Sequence, residues 1–196
     1  MNRLVDSILT RASQAYLVRA DVLRINASFI QRSVSTTTPA PPAPGNPFHL
    51  AIPVHSMRES KAFYGNILGL PTGRDSGPDS ENPDKWQDYS LFGHQIVCHY
   101  VGDKYRAIDY YNPVDGDEVP VPHFGVVLQS LDDFHSIAKK LKDGGVNFII
   151  APTLRFKGTP GEQWTCFVKD PSGNNLEFKY VTNPAFLFAK FTKNKK

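Results

Sequence analysis

Two stretches of the chain repeat one pattern of apolar and polar positions. His49-Leu50-Ala51-Ile52-Pro53-Val54 and His123-Phe124-Gly125-Val126-Val127-Leu128 each open on a histidine and then run apolar, which predicts a strand with one well-covered face. Side chains alternate along a strand. His49, Ala51 and Pro53 therefore share one face, and Leu50, Ile52 and Val54 share the other. The second copy sets His123, Gly125 and Val127 against Phe124, Val126 and Leu128. The bulkier face is expected to cover a helix, and the face with a histidine and then a small residue to line a space. A helix pattern follows both runs. Ser56, with Glu59 three residues on, has capping-box spacing; Phe63, Tyr64, Ile67 and Leu68 recur as a buried stripe, and Gly69 suits the stop. In the second copy Ser130 and Asp133 take the cap, Phe134, Ile137, Ala138 and Leu141 make the stripe, and Gly144-Gly145 ends it.

Further strands are predicted over residues 86–92, 95–101, 146–150, 164–169 and 175–181. The turns Phe92-Gly93-His94 and Asp170-Pro171-Ser172-Gly173-Asn174 join the last two strands of each copy. Each half thus predicts β-α-β-β-β, with the second strand of the first half placed only within residues 71–85. The expected fold is α+β, with modules of about residues 47–101 and 122–181 inside one body of residues 47–181, a connector at 102–122 and a basic tail at 182–196.

Composition changes this picture mainly at the start of the chain. Arg3, Arg11, Arg19, Arg24 and Arg32 face only Asp6 and Asp21 in the first 45 residues. Removing them from the 22 basic and 19 acidic residues leaves a formally neutral body, so the net +3 belongs to the leader. Val5, Ile8, Leu9, Ala12 and Tyr16 fall on one helical stripe. With scattered arginines and serines, they predict a transit peptide over residues 1–46, ending in a proline-rich spacer from Pro39 to Pro47. The expected destination is the mitochondrial matrix, with plastid and cytoplasm as alternatives. No basic stripe in the body suggests a nucleic acid partner, and no apolar run is long enough to span a membrane. The two cysteines, Cys98 and Cys166, form no metal-type pair.

The candidate chemistry is a metal site. Glu177 shares a polar strand face with Asn175 and Lys179, as a ligand or a solvated rim residue. Two imidazoles, His49 and His123, with one carboxylate leave open coordination positions, the set used by non-haem Fe(II) oxygenases and also occupied by Mn, Co, Ni or Zn. An ungapped alignment of Trp86 with Trp164 places His99 at the position of Glu177 and predicts it as a fourth ligand. Arg155 is the candidate to clamp a carboxylate or phenolate, because its fork suits planar anions. His55, His94 and His135 have no repeat partners and are expected to be structural or exposed.

Phe63-Tyr64-Gly65-Asn66-Ile67-Leu68-Gly69-Leu70, after the first histidine strand, resembles the vicinal-oxygen-chelate superfamily of glyoxalase, bleomycin-resistance and extradiol dioxygenase proteins. So does Asp170-Pro171-Ser172-Gly173-Asn174-Asn175-Leu176-Glu177-Phe178. The resemblance covers residues 47–181. It implies two paired βαβββ modules in a cupped mixed sheet around one divalent metal, with His49, His123 and Glu177 as ligands. Glyoxalase I proteins place an acid on the last strand of both modules, whereas the first module here holds Val97, Cys98 and His99. The resemblance therefore leans towards the dioxygenase branch. It implies an Fe(II) dioxygenase acting on a small vicinal-oxygen substrate. Glu177 and Arg155 are the expected catalytic residues, and a homodimer is a candidate assembly. The alternatives are a glyoxalase-type lyase or epimerase using another divalent metal, and a metal-free small-ligand-binding protein.

Overall fold

The computed structural model describes residues 45–77 and 84–188. The expected leader helix and the lysines of the tail lie outside the described residues. Within them, β1 (His49–Val54) leads into α1 (Met57–Ser60), which continues as a wider π-helical stretch, Lys61–Ile67. Ser56 caps the start by accepting from the Glu59 backbone N–H, and Gly69 takes the left-handed conformation after the last turn (φ 68°). The chain continues through β2 (Thr72–Asp75), β3 (Trp86–Leu91) and β4 (His94–Tyr100). The second module repeats this order as β7 (His123–Val127), α2 (Leu131–Asp143), β8 (Phe148–Arg155), β9 (Gln163–Lys169) and β10 (Asn175–Val181). The strand orders are β1-β4-β3-β2 and β7-β10-β9-β8, with the first and last strands of each module parallel. The α+β, twice-repeated βαβββ fold is as the repeat predicts.

Two features differ from the sequence expectation. The first helix widens to i→i+5 bonding, as in Leu68 N–H to Phe63 O at 3.0 Å; apolar spacing alone does not separate this from an α-helix. The connector holds a hairpin of its own, β5 (Tyr110–Val114) and β6 (Asp117–Val121). Polar and proline-interrupted, it carries no clean alternation. Val114 and Val119 pack on Ile149, Ile150 and Phe167, so the hairpin covers part of the second sheet on the face that carries Glu177.

One apolar core joins the modules. Ile52, Val54, Ile96 and Cys98 of the first sheet, Cys166, Val168, Leu176 and Phe178 of the second, and Phe63, Tyr64, Phe134, Ile137 and Leu141 of the helices belong to a single buried cluster. The bulky faces of both sheets thus turn inward. The faces bearing His49 and Glu177 turn away from this common core.

The Asp170–Asn174 turn stitches the modules together. The buried Asp170 carboxylate accepts from Tyr64 Oη (2.9 Å), from the backbone N–H groups of Ser172 and Asn174 and from Asn174 Nδ2 (2.8 Å each). Asn174 Nδ2 also donates to Pro53 O (3.0 Å), and the His55 N–H donates to Ser172 Oγ (3.0 Å). These bonds satisfy polar groups that would otherwise be costly to bury at the module boundary.

Candidate functional site

In the second sheet His123 lies opposite Asn175, and Gly125 opposite Glu177. Glycine is needed there, because a β-carbon at Gly125 would overlap the backbone carbonyl of Glu177. Across that bare position His123 Nε2 comes within 3.5 Å of Glu177 Oε2. Both side chains are held from behind. His123 Nδ1 is 2.7 Å from Pro120 O, and since a carbonyl only accepts, Nδ1 carries the hydrogen. Thr165 donates its hydroxyl to Glu177 Oε1 at 2.8 Å, and Lys179 brings Nζ to 3.1 Å of Oε2. The imidazole stands edge-on to Phe167, ring centres 5.1 Å apart.

Glu177 is only 7% exposed. Burial alone would raise its pKa, but the His123 bond, the Lys179 charge and the Thr165 hydroxyl outweigh it and hold the group down at about 2. His123 moves the other way. Its bond to Glu177 lifts it above the ordinary imidazole range, against the opposing effect of burial and with help from the Pro120 carbonyl. The pair is a buried carboxylate beside an imidazole that holds its second proton tightly.

The other expected site residues lie apart from this pair. His49 is exposed on the first sheet, with Nδ1 2.6 Å from Gln95 Oε1. Among the described residues, no three His, Cys, Asp or Glu side chains gather within reach of one ion.

The expected equivalence of His99 and Glu177 is corrected by the strand register. His49 lies opposite Gln95 and Ala51 opposite Val97, as His123 lies opposite Asn175 and Gly125 opposite Glu177. Val97 is therefore the counterpart of Glu177. His99 lies two residues further along, exposed and beside Trp86 with ring centres 6.5 Å apart. The tryptophan alignment fails because the turn between β3 and β4 is shorter than that between β9 and β10.

Arg155 also departs from its expected role. Its buried guanidinium donates to Val114 O, and its Nε lies 3.3 Å from Asp117 Oδ2 and 3.9 Å from Asp115 Oδ2. It anchors the hairpin instead of awaiting a substrate anion. His55, His94 and His135 are engaged structurally, with Ser172 and Glu59, with the Phe48 N–H, and against Trp164 respectively.

Thr165 and Asp88 were not singled out from sequence. Counting outward from the Asp170–Asn174 turn pairs Lys179 with Thr165 and Glu177 with Phe167, which would have brought Thr165 into view.

The family model for the glyoxalase/bleomycin resistance protein/dioxygenase superfamily matches residues 47–178. A glyoxalase/bleomycin resistance protein/dioxygenase from Alicyclobacillus acidocaldarius shares 31% identity over 74% of this chain and 98% of its own, with a TM-score of 0.59. The fosfomycin resistance protein FosX of Listeria monocytogenes is similar in fold at 17% identity and a TM-score of 0.50, over 73% of this chain and 98% of its own. TioX from Micromonospora sp. ML1 is similar in fold at 11% identity and a TM-score of 0.50, over 70% and 99% of the two chains. No curated protein sequence matches the chain. The repeated module, its strand register and the match across residues 47–178 place the chain in the glyoxalase/bleomycin resistance protein/dioxygenase superfamily.

Proposed function

We propose that the protein is a divalent-metal-dependent dioxygenase of this superfamily that acts on a small substrate with two adjacent oxygens, and that His49, His123 and Glu177 are its metal donors. The observation that carries this reading is the His123–Glu177 pair. Nδ1 is fixed on Pro120 and Oε1 on Thr165, so Nε2 and Oε2 face each other at 3.5 Å, with Lys179 Nζ also 3.1 Å from Oε2. Metal ligands are held by outer-shell bonds in this way. A carboxyl held at about 2 stays ionised at neutral pH, which suits a ligand better than a proton donor. His49, His123 and Glu177 would hold the ion, which would supply Lewis-acid polarisation of a substrate that chelates it through two oxygens and, as Fe(II), oxygen chemistry.

Val97, where a fourth donor would stand, has no donor atom. Three protein donors leave positions for both a chelating substrate and O₂, which favours the oxygenase over a four-donor lyase. Protein reconstituted anaerobically with Fe(II) is expected to consume O₂ with a catechol-type or 2-oxo-acid substrate, and the Ni(II) and Zn(II) forms are not. O₂-independent isomerisation or epimerisation by the Ni(II), Co(II) or Zn(II) form would replace this reading with the lyase one. Ligand binding unchanged by chelators, with no turnover in either regime, would replace it with a binding protein.

We assign the third donor to a second copy of the chain, in a homodimer. Within one chain the faces bearing His49 and Glu177 both turn from the shared core. β1 and β7 are edge strands, and Phe48 (60% exposed) and Val127 (39% exposed) leave apolar surface beside them. In a mixture of His49→Ala and Glu177→Ala chains after subunit exchange, half the dimers are mixed and each holds one intact site, so about a quarter of wild-type metal binding should return. No recovery from exchanged dimers would place all three donors within one chain.

A further inference from the structure

His49 is held as deliberately as His123, but by side chains. Its Nδ1 lies 2.6 Å from Gln95 Oε1, and Gln95 Nε2 lies 2.7 Å from Asp88 Oδ2. Asp88 is 5% exposed and is also approached by Arg74, whose Nε and Nη2 lie 3.4 Å from Oδ2. The proton positions along this relay follow from its buried end. A carboxylate only accepts, so the Gln95 group facing Asp88 is its NH₂. The group facing His49 is then the amide oxygen, which also only accepts. His49 Nδ1 must carry the hydrogen, and its lone pair is on Nε2.

The second module reaches the same state with other parts. Asn175, which lies opposite His123 as Gln95 lies opposite His49, donates Nδ2 to Pro122 O and accepts from Lys169 Nζ (2.9 Å each). It is thereby occupied, and Pro120 O holds His123 Nδ1 instead. Asp88 stands opposite Val97, the counterpart of Glu177. In the first module the acid is thus displaced by one strand, and it reaches its histidine through an amide.

We propose that Gln95 and Asp88 are positioning residues that lock His49 as the Nδ1–H tautomer and present Nε2 as a metal donor. This rests on His49 being a ligand, as proposed above. Its first half, the tautomer, does not depend on metal.

The test uses the full chain and two readouts. In the metal-free protein, long-range ¹⁵N–¹H correlation at a pH where His49 is neutral, assigned with His49→Ala, should show a single Nδ1–H tautomer. Gln95→Leu should shift it towards the Nε2–H form that free histidine prefers, and Asp88→Asn should do so partially. Competition with a chelator for Co(II) should show affinity weakened about 10–100-fold by Gln95→Leu and by Asp88→Asn, and more by His49→Ala. Gln95 is only half-buried, so its variant remains informative if Asp88→Asn fails to fold. A wild-type tautomer and wild-type affinity in Gln95→Leu, with affinity lost in His49→Ala, would overturn the proposal and leave the metal reading intact. Unchanged Co(II) affinity in His49→Ala would overturn the ligand reading, and the proposal's second half with it.

Discussion

Gly125→Ala is expected to cost more than about 4 kcal/mol or to prevent folding, as measured by urea unfolding or by soluble yield. The new methyl group would overlap the backbone carbonyl of Glu177, a rigid atom within the β7–β10 pairing. Relief requires the strands to part, and parting them separates His123 from Glu177. The control is Gly65→Ala. Its added β-carbon would meet only Tyr89 Cε1 at 3.9 Å, an ordinary contact, and it should be neutral or stabilising by up to about 1 kcal/mol. A Gly125→Ala protein with a wild-type unfolding midpoint would mean that β7 and β10 do not approach as described.

Glu177→Gln is expected to change both the acid stability and the metal affinity of the protein. The folded carboxyl lies at about 2, below the ordinary 4.5. Its stabilisation is therefore complete above about pH 4.5 and is lost as pH falls towards 2. The shift corresponds to roughly 3 kcal/mol. The glutamine variant should lack this part of the acid-induced loss. His123 has the opposite sign: its pKa is raised above 6.5 by Glu177 first, so its stabilisation is full below 6.5 and is lost as pH rises through the higher folded value. Its Nε2 must also release that proton before donating to a cation. Metal affinity should therefore rise by about tenfold per pH unit until His123 has titrated, then level off. In Glu177→Gln the levelling should begin at lower pH and the affinity at neutral pH should fall by a factor of 100 or more. A metal affinity independent of pH between 6 and 8 in the wild-type protein would contradict the role of His123.

Much of this was legible in the chain, because both modules repeat a strand of period two and a capped helix. Ser56 and Ser130 cap as expected, and Phe134, Ile137, Ala138 and Leu141 are buried as their spacing requires. The pairing of His123 with Glu177 also follows from alternation, since both lie on the faces their neighbours leave open. Three features were not legible, each for a physical reason. The π-helical stretch has the same apolar stripe as an α-helix. His99 was misplaced because an ungapped alignment crosses turns of unequal length, and only hydrogen-bonded register shows Val97 in its place. Arg155 was read by its capacity for anions, but the partners that occupy it, Asp115 and Asp117, lie in a hairpin whose sequence does not announce strands.

Elemental analysis of the full chain tests the central claim most directly. The wild-type protein, purified without added metal and then reconstituted with Fe(II) and desalted, should be measured beside His49→Ala, His123→Ala and Glu177→Ala. The account predicts about one ion per chain for the wild type and little for each folded variant. Wild-type stoichiometry in any two of the variants, or a wild-type protein that retains no divalent ion, would contradict it.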